Sequence, residues 1–308
     1  MEAHAYQSPE TDRVLDAALR EIGADVAALR VPGLAGVVLG GGYGRGEGGV
    51  KEDGGLSNDL DFFAVAAEGV SEKDAAAIGR ALEPVAAKWT AELGVDVEFA
   101  AKTPWRLRHD GRRLMVQELL RGHCDVAGAS GAVLFRGVER RAAEALPWSE
   151  AARLLVNRGA GLLLAKEPGR DPEFVARNLA KCVLGAGDAR LIVRHAYRWK
   201  AAERGQVLGD EGYSRALGWK FRPRTAPPCD WETARKAWLE AAEEVRAAGH
   251  PRRSVRQAVR WAVRRRSIGR WQTIGYDPVV RIFAELGRVV EARGNFPAAL
   301  QKDWEIFN

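Results

Sequence analysis

The sequence predicts an α/β (α+β) fold, in which a mixed sheet occupies the first half of the chain and an all-α helical domain occupies the second. Short apolar runs bounded by glycines or acidic residues alternate with helical stretches as far as residue 146. After Pro147 the apolar residues recur with the 3.6-residue period of helices. Because 308 residues are enough for two domains with separate cores, we place the domains at 1–146 and 147–308.

The first half begins with a predicted helix from Pro9 to Arg30, since proline is favoured in the first helical turn and Val31-Pro32-Gly33 then interrupts the pattern. The apolar runs that follow predict strands, and Ser71 predicts the cap of a helix between the second strand and the third. The expected strands cover residues 35–39, 59–65, 95–99 and 133–135.

The apolar periodicity of the second half predicts helices and one irregular segment. Several glycines and prolines between residues 204 and 229 favour a loop or lid there. The expected helices cover residues 149–166, 172–203, 230–248, 252–267 and 277–293.

A glycine-rich segment from Gly40 to Gly46 follows the first predicted strand. Glycines leave no Cβ between the backbone N–H groups and a ligand, and they reach positive φ without strain, so successive donors can converge on an anion. Arg45 adds a planar, permanently charged guanidinium that suits phosphate oxygens. The segment therefore predicts a phosphate-binding loop.

Two aspartates, Asp59 and Asp61, alternate with Leu60 on the next predicted strand. Because side chains alternate across a strand, both carboxylates point to one face while Leu60 points into the core. Carboxylates and substrate phosphates are the ligands that Mg²⁺ prefers. Asp96 and Glu98, on one face of a later strand, are the two candidates for a third acidic ligand.

The order of these motifs resembles the DNA polymerase β-like nucleotidyltransferase superfamily over residues 35–100. Within it, Gly41-Gly42-Tyr43-Gly44-Arg45-Gly46-Glu47 is similar to the catalytic domain of bacterial uridylyltransferases, while the chain length and helical second half resemble small antibiotic nucleotidyltransferases. The resemblance implies a nucleotidyltransferase core, with the helical domain closing the nucleotide cleft. It also implies transfer of a nucleoside monophosphate from an NTP, such as ATP, to an acceptor hydroxyl or phosphate, with release of pyrophosphate.

The resemblance assigns a role to each motif. The nucleotide-binding loop would be formed by Gly41, Gly42, Tyr43 and Arg45. Two magnesium ions, or manganese, would be held by Asp59, Asp61 and Asp96. The third acid, Asp96 or Glu98, would act as metal ligand or base.

Two features depart from the family pattern, and other interpretations stay open. Gly42 stands where many members have serine, and the loop between Gly46 and Asp59 is longer than usual. Gly44-x-Gly46-x-x-Gly49 also fits a dinucleotide-binding fingerprint, but the glycine-rich sequence after it leaves no room for the helix that this motif needs. A structural turn is one alternative. A catalytically silent nucleotide- or RNA-binding module of the same fold is another, although all the acidic positions are filled.

Charge divides unevenly along the chain. Residues 1–150 contain 17 Lys and Arg against 24 Asp and Glu, whereas the remaining residues contain 30 against 17. The basic half slightly favours an anionic acceptor, such as RNA, a nucleotide or a phosphorylated metabolite. Its densest stretch, residues 251–266, has a helical pattern surrounded by arginines and suits a polyanion, with a solvated helix face as the competing explanation.

The sequence shows no secretory signal pattern and no apolar stretch long enough for a membrane span. We therefore expect a cytoplasmic protein without a membrane partner. Three widely spaced cysteines, Cys124, Cys182 and Cys229, argue against a disulfide framework or a zinc site.

Lys181 and Asp188 lie seven residues apart on one predicted helix, and hence on one face of it. Polar groups among apolar neighbours need partners. Lys181 would either reach a nucleotide phosphate or belong to an ion pair inside the helical domain, and the sequence favours the ion pair.

Overall fold

The structure, a computed structural model, describes residues 9–249 and 278–307. The fold is α+β, and the chain forms two compact units. The first unit contains the residues as far as Arg141 together with Lys220–Arg224, and the second contains Ala142–Trp219 and the residues from Thr225 onward. The predicted helix at 252–267 and the basic stretch 251–266 lie outside the described residues.

A four-stranded mixed sheet forms the centre of the first unit, with the strand order β3-β2-β1-β4. β1 (Leu34–Leu39) runs antiparallel to both of its neighbours, β2 (Leu60–Ala66) and β4 (Cys124–Gly128), and β2 runs parallel to β3 (Val97–Lys102). The C-terminal end of β1 and the N-terminal ends of the other three strands therefore meet at one edge of the sheet.

Two long helices cover one face of this sheet. They are α1 (Pro9–Ala28) and α3 (Glu72–Leu93). Leu60, Phe62 and Ala64, which alternate along β2, pack into the apolar core beneath these helices.

Short helices lie on the opposite face of the sheet. Phe63 and Val65, the intervening residues of β2, are buried in the core on this side. Because side chains alternate along a strand, Asp61 projects from the same face as Phe63. The short helices are α4 (Pro104–His109), α5 (Leu114–Arg121) and α6 (Gly131–Leu134).

The rest of the described chain is helical apart from its connecting segments. Its helices are α7 (Trp148–Leu164), α8 (Pro172–Val193), α9 (Ala201–Leu208), α10 (Glu211–Phe221), α11 (Trp231–Ala247) and two further helices, Pro278–Glu291 and Ala298–Phe307. Glycines let α7 and α8 approach closely: a Cβ added at Gly185 would lie 2.4 Å from Arg158 Cγ, and one at Gly161 would lie 2.4 Å from Asn178 Oδ1. Larger residues at these glycines would push the two helices apart.

The predicted strand at 133–135 is wrong. Val133 and Leu134 belong to α6, which follows Ser130 as its N-cap. Three apolar residues are too few to distinguish a strand from a helix. The fourth strand is β4 instead, a stretch poor in strand-forming residues that pairs with β1.

The predicted loop at 204–229 is wrong over much of its length, because α9 and α10 occupy it. Gly209, which was expected to break the chain into a loop, is the C-cap of α9 with a φ of 60°. The single helix predicted at 172–203 ends at Val193, and His195 then adopts a positive φ of 55°. The predictions for the first helix and the first strand are confirmed to within two residues.

Among residues 9–249 and 278–307, no helix has both the length and the apolar character needed to cross a bilayer.

Candidate functional site

The glycine-rich segment forms a tight turn at the edge of the sheet where β1 ends. A single helical turn, α2 (Gly41–Gly44), starts almost directly after the strand, and Gly41 has a φ of 60°. Glycine adopts this left-handed conformation with little strain. Gly40 donates its N–H to the Asp61 carbonyl oxygen at 2.8 Å, which joins the turn to β2.

Three successive backbone N–H groups of this turn are not used as hydrogen-bond donors within the described residues. Within the described part of the chain, the N–H groups of Gly41, Gly42 and Tyr43 have no acceptor, because the first residues of a helical turn have none within it. Successive N–H groups in such a turn form a concavity suited to an anion. The turn therefore has the donors that a phosphate-binding loop requires.

The Asp61 carboxylate lies directly against the glycine turn. A Cβ added at Gly41 would be 2.1 Å from Asp61 Oδ2, so a side chain at this position would displace the carboxylate. Asp61 is also exposed. The carboxylate and the backbone donors of the turn thus border the same space.

The four predicted acids lie at this edge of the sheet, on β2 and β3 or immediately before them. Asp61 is opposite Glu98 in the parallel ladder, and Leu60 donates its N–H to the Asp96 carbonyl oxygen at 2.8 Å. Asp59 and Asp96 precede their strands by one residue, although the sequence predicted them inside the strands. Alternation extended by that one residue places all four acids on the face that carries α5.

The chemistry of these acids fits magnesium, because hard divalent cations prefer carboxylate oxygens. Asp59 and Asp61, with Asp96 or Glu98, are the residues that would hold it. Their side chains are not gathered, however: no three His, Cys, Asp or Glu groups of residues 9–249 and 278–307 converge closely enough to hold a metal ion. Carboxylates repel one another unless a cation lies between them. The strands therefore set the positions of the acids, and a metal ion held by them stays a prediction.

Tyr43 anchors the loop between the glycine turn and β2. Its side chain is only 1% exposed, and its hydroxyl donates to the Gly49 carbonyl oxygen at 2.6 Å. The same hydroxyl accepts from the N–H groups of Ser57 and Asn58 at 3.1 and 3.4 Å. Burial raises the pKa of Tyr43, and the negative charge of Asp59 also raises it, so the hydroxyl keeps its proton. Tyr43 thereby determines where the chain enters β2, next to Asp59.

We expect Tyr43→Phe to keep the ring packing and to remove all three hydrogen bonds of the hydroxyl. The Gly49 carbonyl and the Ser57 N–H would keep the hydrogen bond of 3.2 Å between them, so the free energy of unfolding should fall by only about 0.5–1.5 kcal/mol. Because the entry into β2 would loosen next to Asp59, a higher Mg²⁺ concentration should be needed to occupy the acids at this sheet edge. Chemical unfolding and a Mg²⁺ titration measure the two effects. Unchanged values in both would show that the hydroxyl does not position Asp59.

Arg45 connects the glycine turn to α5. Its Nη1 lies 3.1 Å from Glu118 Oε2, and its Nε lies 3.5 Å from Glu47 Oε2. The side chains of both acids are largely buried, so their attraction for the guanidinium is weakly screened. Two carboxylates therefore already balance the positive charge of Arg45, which the sequence predicted to bind the triphosphate. The nucleotide contact of Arg45 stays a prediction.

Lys181 lies on α8, in the second unit. Asp188, on the same helix, forms an ion pair with Arg204 of α9, with 2.8 Å between Arg204 Nε and Asp188 Oδ1, and the ion pair of Lys181 stays a prediction. Tyr213 of α10 donates its hydroxyl to the same oxygen at 2.8 Å. Asp188 thus joins three helices, and the nucleotide contact of Lys181 stays a prediction.

The sequence did not predict the structural roles of three residues at the site. The anchoring role of Tyr43 and the contact of Glu118, which is 73 residues from Arg45, have no local sequence signal. Asn58 has one, since an asparagine before a strand is a typical turn residue. Its Oδ1 accepts from the Gly49 N–H at 2.6 Å, which closes the same loop that Tyr43 anchors.

No protein-family model matches this chain, and no curated protein sequence matches it.

Proposed function

We propose that this protein is a magnesium-dependent nucleotidyltransferase. It would transfer a nucleoside monophosphate from an NTP to an acceptor hydroxyl or phosphate and release pyrophosphate. The observation that supports this most directly is the contact between the Gly41 turn and the Asp61 carboxylate. Backbone donors for phosphates and an acid for the cation border one space, at the edge where the other three acids lie.

The chain's own groups would bind and orient the triphosphate. The N–H groups of Gly41, Gly42 and Tyr43 would donate to phosphate oxygens, and fixed backbone dipoles need no reorganisation as charge moves during the reaction. Asp59 and Asp61 would hold the divalent cations. Magnesium or manganese, when bound, neutralises phosphate charge and lowers the pKa of a coordinated hydroxyl.

The third acid would accept the proton of the acceptor. As Asp96 or Glu98 takes this proton, the acceptor oxygen forms a bond to the α-phosphorus of the NTP. The bond from that phosphorus to the bridging oxygen breaks, and pyrophosphate leaves with the electron pair. Positioning and charge stabilisation supply most of the rate enhancement in phosphoryl transfer of this kind.

The full chain incubated with each NTP and Mg²⁺, with and without total cell RNA, provides the test. Pyrophosphate release that Asp59→Asn abolishes supports the enzyme. Tight NTP binding with no turnover under any of these conditions would instead favour the catalytically silent module of the same fold.

Asp96 and Glu98 should respond differently to loss of charge. We expect Asp96→Asn to abolish turnover at every Mg²⁺ concentration, because the shorter side chain suits a rigid metal ligand. Glu98→Gln should leave NTP and metal binding intact and slow only the transfer step, since the longer side chain suits a base that reaches the acceptor. Single-turnover kinetics alongside equilibrium NTP binding separate the two effects. The reverse pattern would assign the metal to Glu98, the residue opposite Asp61 in the ladder.

The charge of the chain also indicates the chemical class of the acceptor. An excess of Lys and Arg after residue 150 favours an anionic acceptor over a cationic one. RNA, a nucleotide or a phosphorylated metabolite would meet this condition, and transfer of label from each NTP to each class can be compared directly.

A further inference from the structure

The first unit itself carries a strongly uneven charge. Residues 1–101 contain 8 Lys and Arg against 18 Asp and Glu, whereas residues 102–141 contain 9 against 4. The second group starts at the C-terminal end of β3 and includes α4, α5 and the segment after α6. An acidic unit therefore contains a basic region at residues 102–141, in addition to the basic residues of Lys220–Arg224.

The basic residues of this region are close in space as well as in sequence. Gln117 of α5 donates to the carbonyl oxygens of Gly111 and Glu139, at 2.6 and 2.8 Å, which holds the segment after α6 against the turn between α4 and α5. Arg108 Cδ lies 3.4 Å from the position of a Cβ on Gly137. Arginines from both segments thus share one surface.

Acidic residues balance only part of this charge. Arg106 and Arg113 share Asp110, at 2.6 and 3.3 Å, and Arg108 pairs with Glu68 through an exposed contact that is weak in water.

Two cations of this surface, Arg112 and Arg136, form no ion pair with an acid within the described residues. Arg112 and Arg136 are exposed. Burial lowers the pKa of Lys102, and the positive charge of Arg106 lowers it further, while the negative charges of Asp110 and Glu72 raise it.

An exposed aromatic pair lies within this basic surface. The Trp105 side chain on α4 is 51% exposed, and its ring stacks on His109 with centroids 5.0 Å apart and an interplanar angle of 9°. Stacking on the histidine orients the indole, and exposure leaves much of its surface open to a ligand. A planar aromatic among arginines is the combination that binds unpaired bases through stacking and phosphates through charge.

We propose that this surface, defined by Lys102, Trp105, Arg112 and Arg136, binds single-stranded RNA. That this RNA is the acceptor rests on the proposed function. Lys102 and Glu98 lie on the same face of β3, four residues and hence ~13 Å apart along the strand.

Fluorescence anisotropy with a labelled single-stranded RNA of about ten nucleotides, a length within the range such surfaces accommodate, provides the test on the full chain. Trp105→Ala should weaken binding by about 5- to 150-fold, the loss expected for one stacked base. Trp105→Tyr should retain most of the affinity. The double variant Arg112→Ala/Arg136→Ala should reduce the slope of log K against log salt by about 1.4, because two phosphate contacts are lost.

Arg80→Ala is the matched control, since Arg80 is an exposed arginine on α3 of the same unit. The affinity of this variant for the RNA should equal that of the wild type. Asp61→Asn should bind RNA as the wild type does. If the RNA binds through Trp105 but receives no nucleotide from an NTP, the RNA-binding surface is supported and the proposed nucleotidyl transfer to RNA is contradicted. The proposed RNA-binding surface is refuted if Trp105→Ala binds RNA as tightly as the wild type, if a duplex of the same length competes equally well, or if no RNA binds.

Discussion

Asp61→Asn is expected to lower the rate of nucleotidyl transfer by at least about 1,000-fold, while the melting temperature hardly changes. The loss corresponds to the several kcal/mol of transition-state stabilisation that a correctly held cation supplies. The asparagine amide is nearly the same size as the carboxylate and fits against Gly41, so the glycine turn should keep its shape. Because Asp61 is exposed, the fold depends little on its charge.

Glu83→Gln is the matched control for this experiment. Glu83 is an exposed acid on α3, and removing its charge should leave both activity and melting temperature unchanged. Steady-state turnover at increasing Mg²⁺ concentrations, together with thermal unfolding, measures the effects. Near-normal turnover of Asp61→Asn would refute the metal assignment. Collapse of the fold would show that Asp61 has a structural role instead.

Asp188→Asn is expected to lower the free energy of unfolding of the second unit by about 3–5 kcal/mol, the usual cost of breaking one side of a buried ion pair. The side chain of Arg204 is only 5% exposed, and it would remain charged without its carboxylate. Arg204 also donates to the carbonyl oxygens of Arg198 and Trp199 and to the Tyr213 hydroxyl, and it packs on the ring of Tyr197. Denaturant titration gives the size of the effect.

Glu167→Gln provides the comparison for a pair that is exposed to solvent. Glu167 pairs with Arg170, and about two fifths of each side chain is exposed, so this variant should cost less than about 1 kcal/mol. Adding Arg204→Met to Asp188→Asn should recover part of the lost stability, because the buried charge is then gone. Equal effects of Asp188→Asn and Glu167→Gln would show that Arg204 does not depend on Asp188.

Local sequence patterns correctly predicted the elements whose conformation depends mainly on neighbouring residues. The helix from Pro9, the strand ending at Leu39 and the glycine turn after it follow from periodicity, capping and backbone freedom, which depend on neighbouring residues alone. The same local rules failed for β4, a weakly strand-forming segment that is a strand because β1 pairs with it.

Tertiary structure decided how these motifs meet. The sequence by itself identified Asp61 and Glu98 as acids on strands, but only the parallel pairing of β2 and β3 placed them opposite each other. It likewise marked Asp188 as a residue in need of a partner, and only the packing of α8, α9 and α10 supplied Arg204 and Tyr213. Contacts between residues distant in the chain depend on which segments pack together, and a pattern within one segment does not contain that information.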